Sequence, residues 1–136
     1  MISRQKFAIV LGLSLVSTLA ISNSVNQPGI ADKPPTVHHV VLVDLKPTVT
    51  EAEMTTMIAD GKASLSEIPG VLDVQLGLKA KDSRDTHIKD YDLALYVEFA
   101  QLSDLDVYGP HPKHQDFVNR YSPKIEKIRV IDFYGD

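Results

Sequence analysis

Five histidines and a tyrosine hold most of the chemistry available to this chain, and three of the six sit within seven residues: Tyr108, His111 and His114. Pro112 suits the first turn of a helix that His111 would cap. Three residues apart, His111 and His114 then occupy neighbouring positions on one helical face. The positive end of a helix favours the neutral imidazole, which is a usable proton acceptor. His39, on a β-branched run near residue 40, is placed to line the same pocket. His38 should point away from His39, to solvent or to the helices. His87 falls in a charged loop and is expected at the surface.

Three readings of this set stand side by side. In the first, the pair forms a proton-transfer site. In the second, His111-Pro112-Lys113-His114 is a folding device in which His111 caps, Pro112 starts the helix and His114 packs on the strand edge, with Tyr108 an ordinary buried aromatic. In the third, His39, His111 and His114, with Asp116 nearby, share a metal ion. Cysteine is absent, so thiol nucleophiles, disulfides and cysteine metal sites are excluded. The sequence holds no glycine-rich phosphate loop and no serine elbow. Asp82, Asp85, Asp90 and Asp92 lack the glycine and terminal glutamate of a calcium loop. No metal or cofactor is therefore assigned.

These side chains need a scaffold, and the apolar spacing supplies one. A strand runs from Val37 to Lys46, with Val37, His39, Val41, Val43 and Leu45 on one face and Val40 and Leu42 on the other. A strand apolar on both sides must be covered on both sides. Thr50 and Glu53 form a capping box for a helix whose face carries Met54, Met57, Ile58, Gly61, Leu65 and Ile68. Pro69-Gly70 ends it. Val71 to Lys79 alternates, with Leu72, Val74, Leu76 and Leu78 facing one way. A third strand spans Tyr91 to Phe99. A helical turn covers Leu102 to Tyr108, a helix runs from His111 to a break at Pro123, and Ile128 to Tyr134 is the last strand. The order β-α-β-β-α-β predicts an α+β, ferredoxin-like protomer with both helices on one side of a four-stranded antiparallel sheet. The other side is still apolar, and no third helix exists to cover it. Two copies packed sheet to sheet close a barrel, so the fold predicts a homodimer.

Residues 1–24 have the organisation of a secretory signal: Arg4 and Lys6, an apolar run from Phe7 to Ile21, then small residues suited to cleavage. That run spans roughly 22 Å as a helix, short of a ~30 Å hydrocarbon core. An exported chain is expected, in the periplasm or outside the cell, with no membrane contact after cleavage; an uncleaved anchor is the alternative. Residues 25–36 read as a flexible tail, and residues 37–136 as the domain. The net charge is −4, and removing Arg4 and Lys6 from 14 basic residues leaves 12 against 18 acidic ones. That balance disfavours nucleic acid and anionic membranes as partners. Lys124, Lys127 and Arg129, interrupted by Glu126, read as a solvated face.

His39-Val40-Val41-Leu42, Glu67-Ile68-Pro69-Gly70-Val71, Tyr91-Asp92 with Phe99, Tyr108 before His111-Pro112-Lys113-His114-Gln115 with Phe117, and Val130-Ile131-Asp132-Phe133 occur in that order. Together they resemble the stress-responsive dimeric α/β-barrel family, Dabb, over about residues 37–134. The resemblance implies a ferredoxin-like protomer and a dimeric barrel. It implies no single activity, since the family includes plant stress-induced proteins and cofactor-independent polyketide cyclases. By resemblance to the cyclases, His114 would be the general base and Tyr108 the hydrogen-bond donor to the developing oxyanion. Leu93 stands where cyclase-like members often carry a histidine. The functional expectation is an exported stress-response barrel that binds a small apolar molecule between helices and sheet. The alternative is a polyketide-cyclase-like lyase using Tyr108 and His114.

Overall fold

The computed structural model describes residues 34–80 and 84–135. The signal expected over residues 1–24 and most of the tail lie outside the described residues. β1 (Thr36–Leu45) leads into α1 (Glu51–Leu65), then β2 (Val71–Leu78) and β3 (Leu93–Phe99). Two short helices follow, α2 (Ser103–Tyr108) and α3 (Pro112–Tyr121). A 3-10 turn at Ser122–Lys124 then delivers the chain to β4 (Ile125–Gly135). The strands form one sheet in the order β2-β3-β1-β4. Every neighbouring pair is antiparallel. The fold is α+β and ferredoxin-like, as the apolar spacing requires.

Local chemistry sets the element boundaries. The Thr50 hydroxyl accepts from the Glu53 backbone N–H while the Glu53 carboxylate accepts from the Thr50 N–H, so the capping box starts α1. Lys124 reaches the same carboxylate, and with Thr50 it holds the Glu53 pKa down at about 2. Gly70 turns the chain from α1 into β2 with φ +87°, a left-handed conformation that glycine adopts without strain. Gly61 lets α1 settle on the sheet: a Cβ there would lie 2.6 Å from Leu76 Cδ2 and 3.1 Å from Phe117 Cε2. Tyr91 and Asp92 precede β3 because Asp92 closes the sheet corner. Its carboxylate accepts from the Leu45 N–H at 2.8 Å, and its own N–H donates to the Val43 carbonyl at 2.8 Å.

One sheet face packs under the helices. Val37, Val41, Val43, Leu45, Val74, Leu76, Leu93, Leu95, Val97 and Phe99 meet Met57, Leu65, Ile68, Tyr108 and Tyr121 in a single core. Leu72 departs from the expected alternation. The register passes from Val71↔Phe99 to Asp73↔Glu98, so Leu72 is the extra residue of a bulge and is 55% exposed. β4 also begins three residues earlier than expected, because the 3-10 turn at Pro123 feeds straight into the pairing of Ile125 with Leu45.

Among the described residues, no helix covers the other sheet face. Val40, Leu42 and Ala94 lie on it beside Ile131 and Phe133, which are 63% and 49% exposed. His38 does point away from His39, but toward this helix-free face, where it is half-buried and stacked on Phe133 and Tyr96. The basic residues of the 3-10 turn and β4 are not simply solvated. Besides Lys124 on Glu53, the Arg129 guanidinium donates to both carboxylate oxygens of Asp90 at 2.8 and 2.7 Å. Among the described residues, no helix is long and apolar enough to cross a membrane.

Candidate functional site

α2 ends on Tyr108, Gly109 and Pro110 turn the chain, and α3 starts at Pro112. His111 takes the N-cap: its Nδ1 accepts from the Lys113 N–H at 3.2 Å. The cap fixes the first turn of α3 and so sets the position of His114. The His114 Nδ1–H donates to the Gly109 carbonyl at 2.8 Å. A carbonyl can only accept, so this bond assigns the proton to Nδ1 and leaves Nε2 with the lone pair. Gln115 donates to the same carbonyl at 2.6 Å and secures the turn that carries it. Burial pushes the His114 pKa down, partly offset by the Gly109 bond and reinforced by the nearby His39. The ring is held neutral.

Tyr108 lies against His114, with ring centroids 4.5 Å apart, and edge-on to Phe99 at 5.1 Å. It is 2% exposed. Its hydroxyl is buried without a hydrogen-bond partner. Burial holds the phenol well above its usual pKa, so it stays a protonated donor. His39 approaches from β1, edge-on to Tyr108 at 5.9 Å. Its Nδ1 is 2.7 Å from the Asp132 carboxylate, the residue opposite it on β4.

Tyr108, His114 and His39, with Ser122, Glu126 and Lys127, are polar residues lining a cavity of about 530 Å³ between α3 and the β1–β4 half of the sheet. Its walls are otherwise mostly apolar: Val41, Val43, Leu95 and Val130 from the sheet, Met57 and Phe117 from the helices. Tyr108, His114 and His39 are therefore brought together in one pocket. His111, expected on the pocket wall, is not among the lining residues, because its ring is used as the helix cap. Among the described residues no group of three histidine, aspartate or glutamate side chains is placed to share a metal ion. The set of His39, His111 and His114 that spacing allowed does not assemble.

Asp132 is the residue that sequence reasoning missed. It was readable only as part of the Val130-Ile131-Asp132-Phe133 run. Alternation along β4 does put it on the side of Val130 and Ile128, but its partner is named only by the β1–β4 register. Chemically, the site combines a buried hydroxyl and a half-buried neutral imidazole with an adjoining, partly exposed histidine–carboxylate pair.

No curated protein matches the sequence at a significant level. Solved structures do. A Dabb-family protein of ferredoxin-like fold from Mesorhizobium loti is 29% identical, over 73% of this chain and 95% of that one, with a TM-score of 0.60. A dimeric ferredoxin-like protein from Thermobifida fusca is 18% identical over 75% of this chain and 92% of its own, at a TM-score of 0.64. The hydroxynitrile lyase of Passiflora edulis is 19% identical over 76% and 95%, at a TM-score of 0.67. At these identities the last two establish the fold alone. The model of the stress responsive A/B barrel domain matches residues 37–134, and this chain belongs to that family, Dabb.

Proposed function

We propose that this Dabb-family chain is an exported homodimeric barrel protein that binds a small apolar molecule in the cavity beside Tyr108. One observation carries the reading: a cavity of about 530 Å³ with mostly apolar walls, lined by Tyr108, whose hydroxyl is buried and unpartnered. An unsatisfied buried hydroxyl costs on the order of 1–3 kcal/mol. A ligand oxygen that accepts from it recovers that cost. Export is supported by Arg4, Lys6 and the apolar run Phe7 to Ile21. The homodimer is supported by the helix-free face around Val40, Leu42, Ile131 and Phe133, and by a structural neighbour described as dimeric.

The test is a thermal-shift panel of small aromatic and medium-chain aliphatic compounds on the purified chain, beside Val130→Trp, which fills the cavity. Upward shifts in the natural chain that vanish in Val130→Trp are expected. Equal shifts in both proteins would remove the cavity as the binding site. Ile131→Glu, measured by sedimentation, should convert the dimer to monomer; an unchanged dimer would move the interface elsewhere.

A second reading is favoured by the Tyr108–His114 pair itself: a cofactor-independent lyase or cyclase. The His114 Nε2 would take a proton from a carbon next to a carbonyl. The electron pair of that C–H bond moves into the C–C bond and onto the carbonyl oxygen, where the Tyr108 hydroxyl donates to it. One neighbour on this scaffold is a hydroxynitrile lyase, so the fold accommodates lyase chemistry. Deuterium uptake at the α-carbon of acetophenone in D2O, lost in His114→Ala, is the expected signature. Uptake equal to the buffer rate would leave binding alone.

A further inference from the structure

The cavity is not closed by the chain that builds it. Two of its β4 residues, Ile128 and Val130, are 53% and 44% exposed, and Val118 on α3 is exposed as well. These three apolar lips leave the β4 side of the cavity open to water. The same strand is apolar and exposed on its opposite face, through Ile131 and Phe133. It is also an edge: among the described residues nothing pairs with its outer side over the eleven residues Ile125–Gly135. A long edge strand with exposed apolar residues on both faces is a template for another strand. The opposite edge of the sheet is β2. Because every neighbouring pair is antiparallel, β2 runs with β1 and against β4. β4 of one copy can therefore take β2 of another as an antiparallel neighbour. When two copies face each other through their helix-free sides, about a two-fold axis along the strands, both such junctions form at once and no edge is left. On the helix-facing side of β2, Val74 and Leu76 are buried, whereas Leu78 is 62% exposed. Leu78 shares that side of the sheet with Ile128, through the pairings of Leu78 and Val43 with Leu93 and of Val43 with Ile128.

We propose that the cavity is completed by a second copy of this chain: the β2 edge of the partner runs along β4, and the partner's Leu78 covers the lips formed by Ile128 and Val130. The proposal rests on the cavity being a ligand site and on the sheet-to-sheet homodimer, and it goes beyond both, because neither by itself makes the site shared between chains. A second copy is the occupant for two reasons. The open apolar edge is continuous with the helix-free face that the homodimer buries, since Val130 and Ile131 are adjacent residues of one strand. The chain also carries, in β2, an edge of the opposite direction with an uncovered apolar residue on the matching side. Small-molecule sites bury roughly 70–90% of their ligand, and a wall on the β4 side supplies the cover that the single chain leaves out.

N-phenyl-1-naphthylamine, a neutral apolar fluorophore, is the probe, titrated into the full chain while sedimentation reads the association state of the same samples. The natural chain should bind it as a dimer, and Val130→Trp, which fills the cavity, should not. Ile131→Glu leaves every lining residue in place, yet it should give monomers that bind at least tenfold more weakly. Leu78→Ala, on the far edge of the chain's own sheet, should stay dimeric and bind at least threefold more weakly. Three results overturn the shared wall and leave a one-chain cavity: Ile131→Glu monomers that bind like the natural chain, an Ile131→Glu chain that is still a dimer, or a dimeric Leu78→Ala with undiminished binding. A Leu78→Ala chain that falls to monomers puts Leu78 in the interface, and the Ile131→Glu comparison then decides. No binding by the natural chain, or equal binding by Val130→Trp, removes the cavity as a ligand site and the shared wall with it.

Discussion

Two tyrosine–histidine pairs lie on opposite sides of this sheet, and they are built differently. On the helix-free face the His38 Nδ1 is 2.6 Å from the Tyr96 hydroxyl, which donates on to Glu98 at 3.3 Å. The other His38 nitrogen meets the Thr36 hydroxyl at 3.2 Å. With the tyrosine proton on Glu98, His38 must donate from Nδ1 and accept from Thr36 at Nε2, so every polar group in that chain has a partner. On the helix-covered face, Tyr108 touches His114 but bonds to nothing, and His114 keeps an unused lone pair. Adjacent residues His38 and His39 thus belong to two different polar systems, one closed and one open. A closed network orders a surface. On the function proposed above, the open pair belongs to the wall of the ligand cavity.

Four substitutions or titrations break or sharpen this contrast. The largest effect is expected from Phe99→Ala, which removes the fully buried ring on which Tyr108 leans. It should cost about 3–5 kcal/mol in chemical denaturation; a loss under ~1 kcal/mol would mean that Tyr108 is positioned by α2 alone. Tyr96→Phe strips the central link of the closed network and should cost about 1–1.5 kcal/mol, since His38 and Glu98 lose a shared partner. Tyr108→Phe should go the other way and stabilise the unliganded chain by about 1 kcal/mol, because it removes an unpaired buried hydroxyl. A destabilisation equal to that of Tyr96→Phe would erase the distinction between the two pairs.

The smallest effect is in the pH dependence. A free histidine titrates near 6.5, and burial lowers the pKa of His114 below that in the folded chain. Between the lowered value and 6.5 the unfolded chain binds more protons at this site, so its contribution to stability rises with pH across that window. Subtracting the profile of His114→Gln from that of the natural chain should isolate this slope. A difference profile that is flat, or that falls as pH rises through 6, would show that the ring is not held neutral by burial.

Much of the scaffold was legible because it rests on local rules. The capping box at Thr50 and Glu53, the stop at Pro69-Gly70, the cap at His111 with Pro112 behind it and the period-2 runs of three strands need only neighbours in sequence. The misreadings share a different cause. Leu72 leaves its face through a bulge, which depends on the register against β3. His111 leaves the pocket because one ring cannot cap the helix and line the wall. Lys124 and Arg129 reach Glu53 and Asp90, partners 71 and 39 residues away in sequence, so nothing near them in the chain announces the pairing.

By itself the sequence determined the ferredoxin-like order of elements, the apolar sheet face left without a helix and the identity of Tyr108, His114 and His39 as candidates, since periodicity and residue chemistry are properties of short segments. Tertiary structure alone decided that these three share one cavity, that Asp132 pairs with His39 and that His111 stays outside the cavity. It also decided which hydrogen bonds are made and which are left open. Those outcomes depend on register and on distances between segments far apart in the chain, which spacing along a single strand or helix does not encode.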